Sequence, residues 1–237
     1  MAKLWINTQK VENQLETFFN QNQSQIKNFG STVNQTFEAF VFASVLNWYA
    51  TNGWSVSLIN PSSSPKEIKL KFNTRGRPGL YSYAICEKDS VKIQVRHGLR
   101  VATSYNKTSF SFPANVVLDV AVVNDVDLSK LKSSDYIDND DLITFGEAKH
   151  MSAFAELIAN FLGLVHEMKP EALQSISATN LPKLQNHPVP FLYVSGYLYP
   201  TAKGLLESIK DRSLNVEIYD HESGVFFGIS LPLRKPG

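Results

Sequence analysis

A nine-residue segment from Asn115 to Val123 places the strongest constraint on how this chain can fold. It reads Asn-Val-Val-Leu-Asp-Val-Ala-Val-Val, and β-branched residues at this density favour a buried strand. Asp119 lies in the middle of the segment. A carboxylate in such a place is costly unless it is paired or binds a cation. The segment therefore predicts a core strand that carries a polar site.

The apolar pattern on either side of this strand predicts an α/β domain. Helices are predicted at 32–50, 152–168 and 201–212, and strands at 54–59, 142–149, 191–199 and 214–219. We expect Ser152 to be the N-cap of the second helix, 66–105 to form β-structure broken by Gly76, Gly79 and Gly98, and 224–231 to add an edge strand. Residues 8–28 favour a weakly amphipathic helix. The predicted organisation is an N-terminal helical arm (1–30) followed by one domain (31–237).

Composition narrows the function classes without selecting one. The chain has 237 residues, 43% of them apolar, and a formal charge of +1, so the overall charge does not indicate a nucleic-acid partner. Its single cysteine, Cys86, excludes a disulfide framework and a cysteine-rich zinc site. With no signal peptide and no apolar run long enough to span a membrane, we expect a soluble, cytoplasmic protein without a membrane partner.

Three Glu-x-Lys triplets occur in the chain, and their context separates them. Glu67-Ile68-Lys69 has no acidic partner on a preceding buried strand, and Glu167-Met168-Lys169 falls on a predicted helix, where its charges would diverge. In Glu147-Ala148-Lys149, on a predicted strand, residues two apart point to the same face. This triplet alone has a partner such as Asp119, so we select it as the candidate site.

Two carboxylates on neighbouring strands are suited to a hard cation. Asp119 and Glu147 would bind Mg²⁺, which prefers a few carboxylates together with water and phosphate oxygens. The ion would activate a water, and Lys149 would orient that water or offset charge in the transition state. This is the chemistry of phosphodiester hydrolysis. The alternative is structural: Glu147 and Lys149 are strand-end residues in solvent, and Asp119 pairs with a nearby base.

Glu38 is the third candidate acid. It is the only charged residue between Lys27 and Lys66, and it lies near the start of the most apolar helix in the chain. Nothing local can pair with it, so its partner must come from elsewhere, and a metal site is one candidate. The alternative is that it compensates the helix dipole, which contributes about 0.3–1 kcal/mol.

These features together resemble the PD-(D/E)xK, or restriction endonuclease-like, nuclease superfamily over roughly residues 31–220. The resemblance rests on a helix with a carboxylate, a Gly-Trp turn into a strand, a buried strand with Asp, and a Glu-x-Lys strand that runs into a helix. It implies a mixed central sheet flanked by helices, with Asp119, Glu147 and Glu38 as metal-binding acids and Lys149 as the catalytic lysine. Leu118 stands where the motif's name has proline.

A locally basic stretch suggests where substrate would bind. Residues 66–107 hold ten basic residues against three acidic ones, with tyrosines interleaved, and such a surface is suited to a phosphate backbone. We expect Arg75, Arg77, Arg96 and Arg100, on two basic turns, to contact substrate; the alternative is a solvated sheet face. The acidic segment 125–141 is predicted to be a solvated loop.

The sequence therefore predicts a metal-dependent endonuclease that uses Mg²⁺, with Mn²⁺ as a substitute, and acts on DNA in preference to RNA. A restriction or phage-defence role and a homodimer or larger assembly are implied by the resemblance alone. Two alternatives stay open. One is a catalytically silent nuclease-like module that binds nucleic acid or a protein; the other is an effector nuclease that needs a ligand or partner subunit.

Overall fold

The structure is a computed structural model that describes residues 33–72, 76–174 and 187–221, and the backbone of 225–226 and 229–230. The predicted N-terminal arm and Arg75 lie outside these residues. Three helices are described: α1 (Val33–Thr51), α2 (Ala155–Met168) and α3 (Pro200–Asp211). The strands are β1 (Ser55–Ile59), β2 (Tyr83–Lys88), β3 (Val91–Ala102), β4 (Asn115–Asn124), β5 (Leu142–Lys149), β6 (Phe191–Val194), β7 (Glu217–Asp220), β8 (Val225–Phe226) and β9 (Ile229–Ser230).

The first seven strands form one mixed sheet in the order in which they occur in the chain. Neighbouring strands from β1 to β5 are antiparallel, whereas β5, β6 and β7 are parallel. The parallel half needs crossover connections, and α2 and α3 lie in them. The predicted α/β class is confirmed in this form, with a seven-stranded mixed sheet and three helices.

Each face of the sheet has its own apolar core. On one face, α1 packs Val41, Val45 and Tyr49 against alternate residues of β2 to β4. On the other face, α2 and α3 contribute Ile158, Phe161, Val165, Ala202 and Ile209. The spacing of the α2 residues by three and four positions puts them on a single helical stripe. The central strands are therefore covered on both sides, which explains why β4 is apolar along nearly its whole length.

Several element boundaries differ from the predictions. Residues 66–72 form an extended loop outside the named strands, although Ile68 and Leu70 are buried. The strand predicted at 191–199 ends at Val194, and two residues later the backbone at Gly196 lies so close to Ser152 that no Cβ would fit. The edge strand predicted at 224–231 is instead the separate two-stranded ribbon of β8 and β9.

The predicted N-cap at Ser152 is wrong. Helix α2 begins at Ala155, and its N-cap is Phe154, whose side chain makes no capping bond. The Ser152 hydroxyl instead accepts a hydrogen bond from the Tyr197 N–H at 3.3 Å. This bond links the segment that follows β5 to the segment that follows β6.

Candidate active site

Strands β4 and β5 separate at Asp119, and this fork is the structural basis of the candidate site. Their pairing ends at Val120 and Gly146. Beyond that point β4 stays paired with β3, while β5 turns to β6, pairing Gly146 with Phe191. Residues two positions apart on a regular strand share a face. Leu118, however, belongs to the core under α2 and α3, and Val120 belongs to the core under α1. The strand is therefore twisted at Asp119.

The two acidic side chains fill the fork and replace backbone pairing there. The Ala148 N–H donates to Asp119 Oδ2 at 3.0 Å, and the Asp119 N–H donates to Glu147 Oε1 at 3.5 Å. Each carboxylate thus meets a backbone donor of the opposite strand. This exchange fixes the position of both acids relative to the sheet, because backbone donors at this depth need acceptors.

Lys149 brings the two acids to a common point. Its Nζ donates to Asp119 Oδ2 at 2.9 Å and to Glu147 Oε2 at 2.8 Å. Glu147 and Lys149 therefore share one face of β5, as the alternation of a strand predicts. The structure brings together three of the four residues selected for catalysis: Asp119, Glu147 and Lys149.

Burial and neighbouring charges shift the pKa values of Glu147 and Lys149 in the site. Glu147 is 8% exposed, and burial together with the neighbouring charge of Asp119 raises its pKa to about 7, although Lys149 opposes this shift. For Lys149, burial lowers the pKa, but the charges of Glu147 and Asp119 outweigh burial and hold it above its usual value. Lys149 is consequently a permanent cation, while Glu147 exchanges its proton near neutral pH.

Metal-free stability is expected to decrease from pH 4.5 to pH 7 because the folded chain holds a proton on Glu147. The ordinary pKa of a glutamate is 4.5, whereas Glu147 keeps its proton up to about pH 7 when folded. The folded state binds more protons in this window, so the free energy of unfolding falls as pH rises. Urea unfolding in EDTA across this range measures the slope.

Glu147→Gln removes the titrating group and should flatten that slope, whereas Glu67→Gln, on the exposed loop, should leave it unchanged. The pKa of Glu217 is also raised by burial. That residue is present in every variant, so its contribution cancels in the comparison. Identical slopes in wild type and Glu147→Gln would contradict the raised pKa of Glu147.

Glu38 has a different partner from the one expected at a metal site. Its Oε2 lies 3.3 Å from His97 Nε2 on β3, and His97 Nδ1 donates to the Lys71 carbonyl oxygen at 2.8 Å. No hydrogen bond or ion pair joins Glu38 to Asp119 or Glu147. Among the residues that the structure describes, no group of three or more His, Cys, Asp or Glu side chains is arranged to hold a metal ion. The metal role of Glu38 therefore stays a prediction.

The predicted basic surface is not a row of exposed arginines. Arg77 is exposed, but Arg96 is only 6% exposed, and Arg100 is half-buried and donates to Asn115 Oδ1 at 2.7 Å. The second predicted basic turn, residues 96–100, lies inside β3, because Gly98 adopts a φ of +64° without ending the strand. The predicted basic turn at 96–100 is therefore wrong, and Arg96 is a buried residue of a strand.

The acidic segment from 125 to 141 is mainly exposed loop with one short 3-10 turn, Asn139–Asp141, as the predicted solvated loop requires. Sequence reasoning missed the contacts that His97 and Lys71 make with each other and with Gly98. Lys71 is 4% exposed, and its Nζ donates to the Gly98 carbonyl at 2.6 Å. No local pattern marks a buried lysine in a loop, so this contact had no signal in the sequence.

No protein-family model, curated protein or solved structure matches this chain. None of the helices that the structure describes is both long and apolar enough to cross a membrane. The fork between β4 and β5 and the chemistry of its three charged residues are therefore the features that indicate a function.

Proposed function

We propose that this protein is a metal-dependent phosphodiesterase, an endonuclease of the PD-(D/E)xK type that acts on DNA in preference to RNA. The observation that carries the proposal is the convergence of Asp119, Glu147 and Lys149 at the fork of two core strands. A sheet gains no stability from a buried and a half-buried carboxylate that must be held in place by a lysine, compared with apolar residues of similar volume. Function accounts for the cluster better than stability does.

The oxygens at the fork fit a hard cation such as Mg²⁺ or Mn²⁺. Lys149 and Ala148 both donate to Asp119 Oδ2, which leaves Oδ1 to a cation once Glu147, whose carboxyl shares a hydrogen bond with Asp119, loses its proton. Glu147 Oε1 receives only the long contact of 3.5 Å. Two carboxylate oxygens from different strands are thus available, and Mg²⁺ binds through one or two carboxylates with water and substrate oxygens completing its shell.

The bound ion would polarise a phosphoryl group and lower the pKa of a bound water. The chain's own contribution is positional. The fork holds Asp119 and Glu147 against backbone N–H groups, and Glu147 gives up its proton near neutral pH to become a ligand. Lys149, fixed by both acids, would place an ammonium group beside the phosphate and offset the negative charge that develops there.

The silent-module alternative also has an observation in its favour. No third acid joins the cluster within the described residues, so Lys149 partly neutralises the two carboxylates by itself, which a purely structural cluster would also need. Metal binding separates the two proposals, because a structural ion pair has no reason to respond to Mg²⁺.

Wild-type protein is expected to nick supercoiled plasmid in Mg²⁺ or Mn²⁺ and to be inactive in EDTA, and Mg²⁺ should raise its melting temperature. Asp119→Asn should abolish both the nicking and this rise in melting temperature. The amide keeps the side chain's shape but lacks the charge that holds the ion. Asp138→Asn, which changes an exposed loop carboxylate, is the matched control and should behave as wild type. No cutting and no metal response in the wild type would leave the binding module as the better account, while a metal response without cutting would favour an effector that needs an activator.

A further inference from the structure

A cavity of about 520 Å³ lies on the face of β2 and β3 opposite α1. Tyr83 and Ile85 of β2 and Gln94 and Arg96 of β3 line it, together with the loops at 59–62 and 125–129. Ala84 and Cys86, which alternate with Tyr83 and Ile85, belong instead to the core under α1. The cavity is thus separate from the fork, and nothing in the proposed nuclease chemistry uses it.

Arg96 is the buried charge of this cavity. Its Nε donates to Gln94 Oε1 at 2.8 Å, and its guanidinium lies 3.8 Å from the centre of the Tyr83 ring. No other hydrogen bond or ion pair of this side chain is found within the described residues, so its two terminal Nη groups have no protein acceptor there. Burial lowers the pKa of Arg96 to about 10, which leaves the side chain charged at neutral pH.

The nearest carboxylates are already engaged by other groups. Asp125 Oδ1 accepts from Gln94 Nε2 at 2.7 Å, and its Oδ2 lies 3.6 Å from Lys92 Nζ. Asp127 Oδ1 accepts from the Ser129 N–H at 2.9 Å. Both aspartates act on Arg96 only through space. A guanidinium that is nine-tenths buried, stacked on an aromatic ring and without a protein acceptor at its Nη groups is prepared for an oxyanion with two acceptor oxygens, which it would bind through two parallel hydrogen bonds.

Size and charge restrict the occupant. A volume of about 520 Å³ is in the range of sites for small organic ligands and is far larger than an inorganic ion needs. A second cavity beside Arg96, near Lys71, has about 10 Å³ and holds at most one water. Asp125 and Asp127 on the cavity wall oppose a ligand with several negative charges. Ile59, Ile85 and Leu128 offer apolar surface to the rest of the molecule.

We propose that this cavity binds an organic monoanion whose single oxyanion, a carboxylate or a phosphodiester, is held by the Nη groups of Arg96 while its apolar or aromatic body lies against Ile59, Ile85 and Leu128. The proposal does not depend on the nuclease assignment. It needs only the cavity and the unpaired guanidinium, and its test measures binding rather than cutting.

Calorimetric titration of the full chain with matched probes tests the charge requirement. The phosphodiester series is adenosine, 3′,5′-cyclic AMP and AMP, which carry no charge, one charge and about two charges on related bodies. The carboxylate pair is N-acetyltryptophan and its neutral amide. At least one of the two monoanions should bind, and at least tenfold more tightly than its neutral analogue; cyclic AMP, if it binds, should also bind more tightly than AMP. The series that binds identifies the oxyanion.

Arg96→Gln should weaken that binding at least tenfold, whereas Arg212→Gln, on an exposed arginine at the end of α3, should not change it. Because Arg96 is buried, its loss affects folding as well. Ser62→Trp is therefore the second variant, since Ser62 is exposed at the cavity wall and a large side chain there would block entry without touching the core. The proposal is overturned if neither monoanion binds, if the neutral analogues bind equally well, or if a folded Ser62→Trp binds as the wild type does.

Discussion

Lys149→Gln is expected to reduce metal-dependent phosphodiester cleavage by about 100- to 1,000-fold, the range seen when one preorganised charge-stabilising group is removed from an active site. The ammonium lies 2.9 Å from Asp119 Oδ2 and 2.8 Å from Glu147 Oε2, so it is fixed beside both acids that would hold the ion and would offset charge that develops on the phosphate. Plasmid nicking in Mg²⁺ at saturating substrate measures the change in rate.

The same variant should keep or improve its affinity for Mg²⁺. Lys149 competes with a metal for the oxygens of both acids, and glutamine removes that competition. Loss of cutting with metal binding retained would therefore separate a catalytic lysine from one that only organises the site. Melting curves with increasing Mg²⁺ provide this second readout and also show that the variant is folded.

Lys69→Gln is the control that the chain itself offers. Lys69 belongs to the triplet Glu67-Ile68-Lys69, which has the same pattern as the candidate site but lies in a loop where both charged side chains are exposed. Its side chain is near the Tyr81 ring at 5.7 Å and has no acidic pair like that of Lys149. A similar loss of cutting in Lys69→Gln and Lys149→Gln would show that cleavage does not depend specifically on Lys149 at the fork.

Gly98→Ala is expected to lower the free energy of unfolding by about 2–5 kcal/mol, the sum of left-handed backbone strain and overpacking. Gly98 has a φ of +64°, and a Cβ at this position would overlap the Lys71 carbonyl oxygen. That oxygen is backbone and also accepts from His97 Nδ1, so it cannot simply move away. Urea denaturation monitored by tryptophan fluorescence measures the loss.

Gly53→Ala is the matched comparison. Gly53 has a φ of +82°, but a Cβ there would meet only the flexible end of Lys88, with Nζ at 3.8 Å. Its cost should be the backbone strain alone, about 1–2 kcal/mol. The difference between the two alanine variants measures the close approach at Gly98, and equal costs would show that the loop at Lys71 yields easily.

Gly98 lies next to the candidate site, so a substitution there should affect metal binding as well as stability. In the β3–β4 register, Leu99 is opposite Leu118 and His97 is opposite Val120, so Gly98 faces Asp119. The twist of β4 at Asp119 and the left-handed backbone of Gly98 thus occur at the same rung of the sheet. We therefore expect a folded Gly98→Ala protein to show weaker metal binding at the fork as well.

The strands that carry the site were predictable because their signals are local. Unbroken β-branched residues indicate β4, and the two-residue period of a strand puts Glu147 and Lys149 on one face whatever surrounds them. The helix predicted around Glu167 is confirmed, but the β-structure predicted around Glu67 is a loop, so only the missing acidic partner separated that triplet from the candidate site. The partner of Glu38 was correctly expected to be distant in sequence, but its identity was not predictable.

The burial of Arg96 shows why the remaining features were not predictable. Its neighbours in the sequence are basic or glycine and predict an exposed turn, but the structure stacks it on Tyr83 of the adjacent strand and closes it under residues 125–129. Burial depends on which segments fold over a residue, and those segments are about 10 to 30 positions away. Composition within a window of the chain contains no information about them.

The sequence by itself determined the α/β class, the central strands and the choice of Asp119, Glu147 and Lys149, because side-chain periodicity and the cost of a charge in an apolar strand are properties of short segments. Only the tertiary structure decided that β4 and β5 part at Asp119, that Glu38 meets His97, and that Arg96 lines a cavity. These features arise where strands exchange partners and loops cross the sheet. Such arrangements are set by the packing of the whole domain, and a single segment does not encode them.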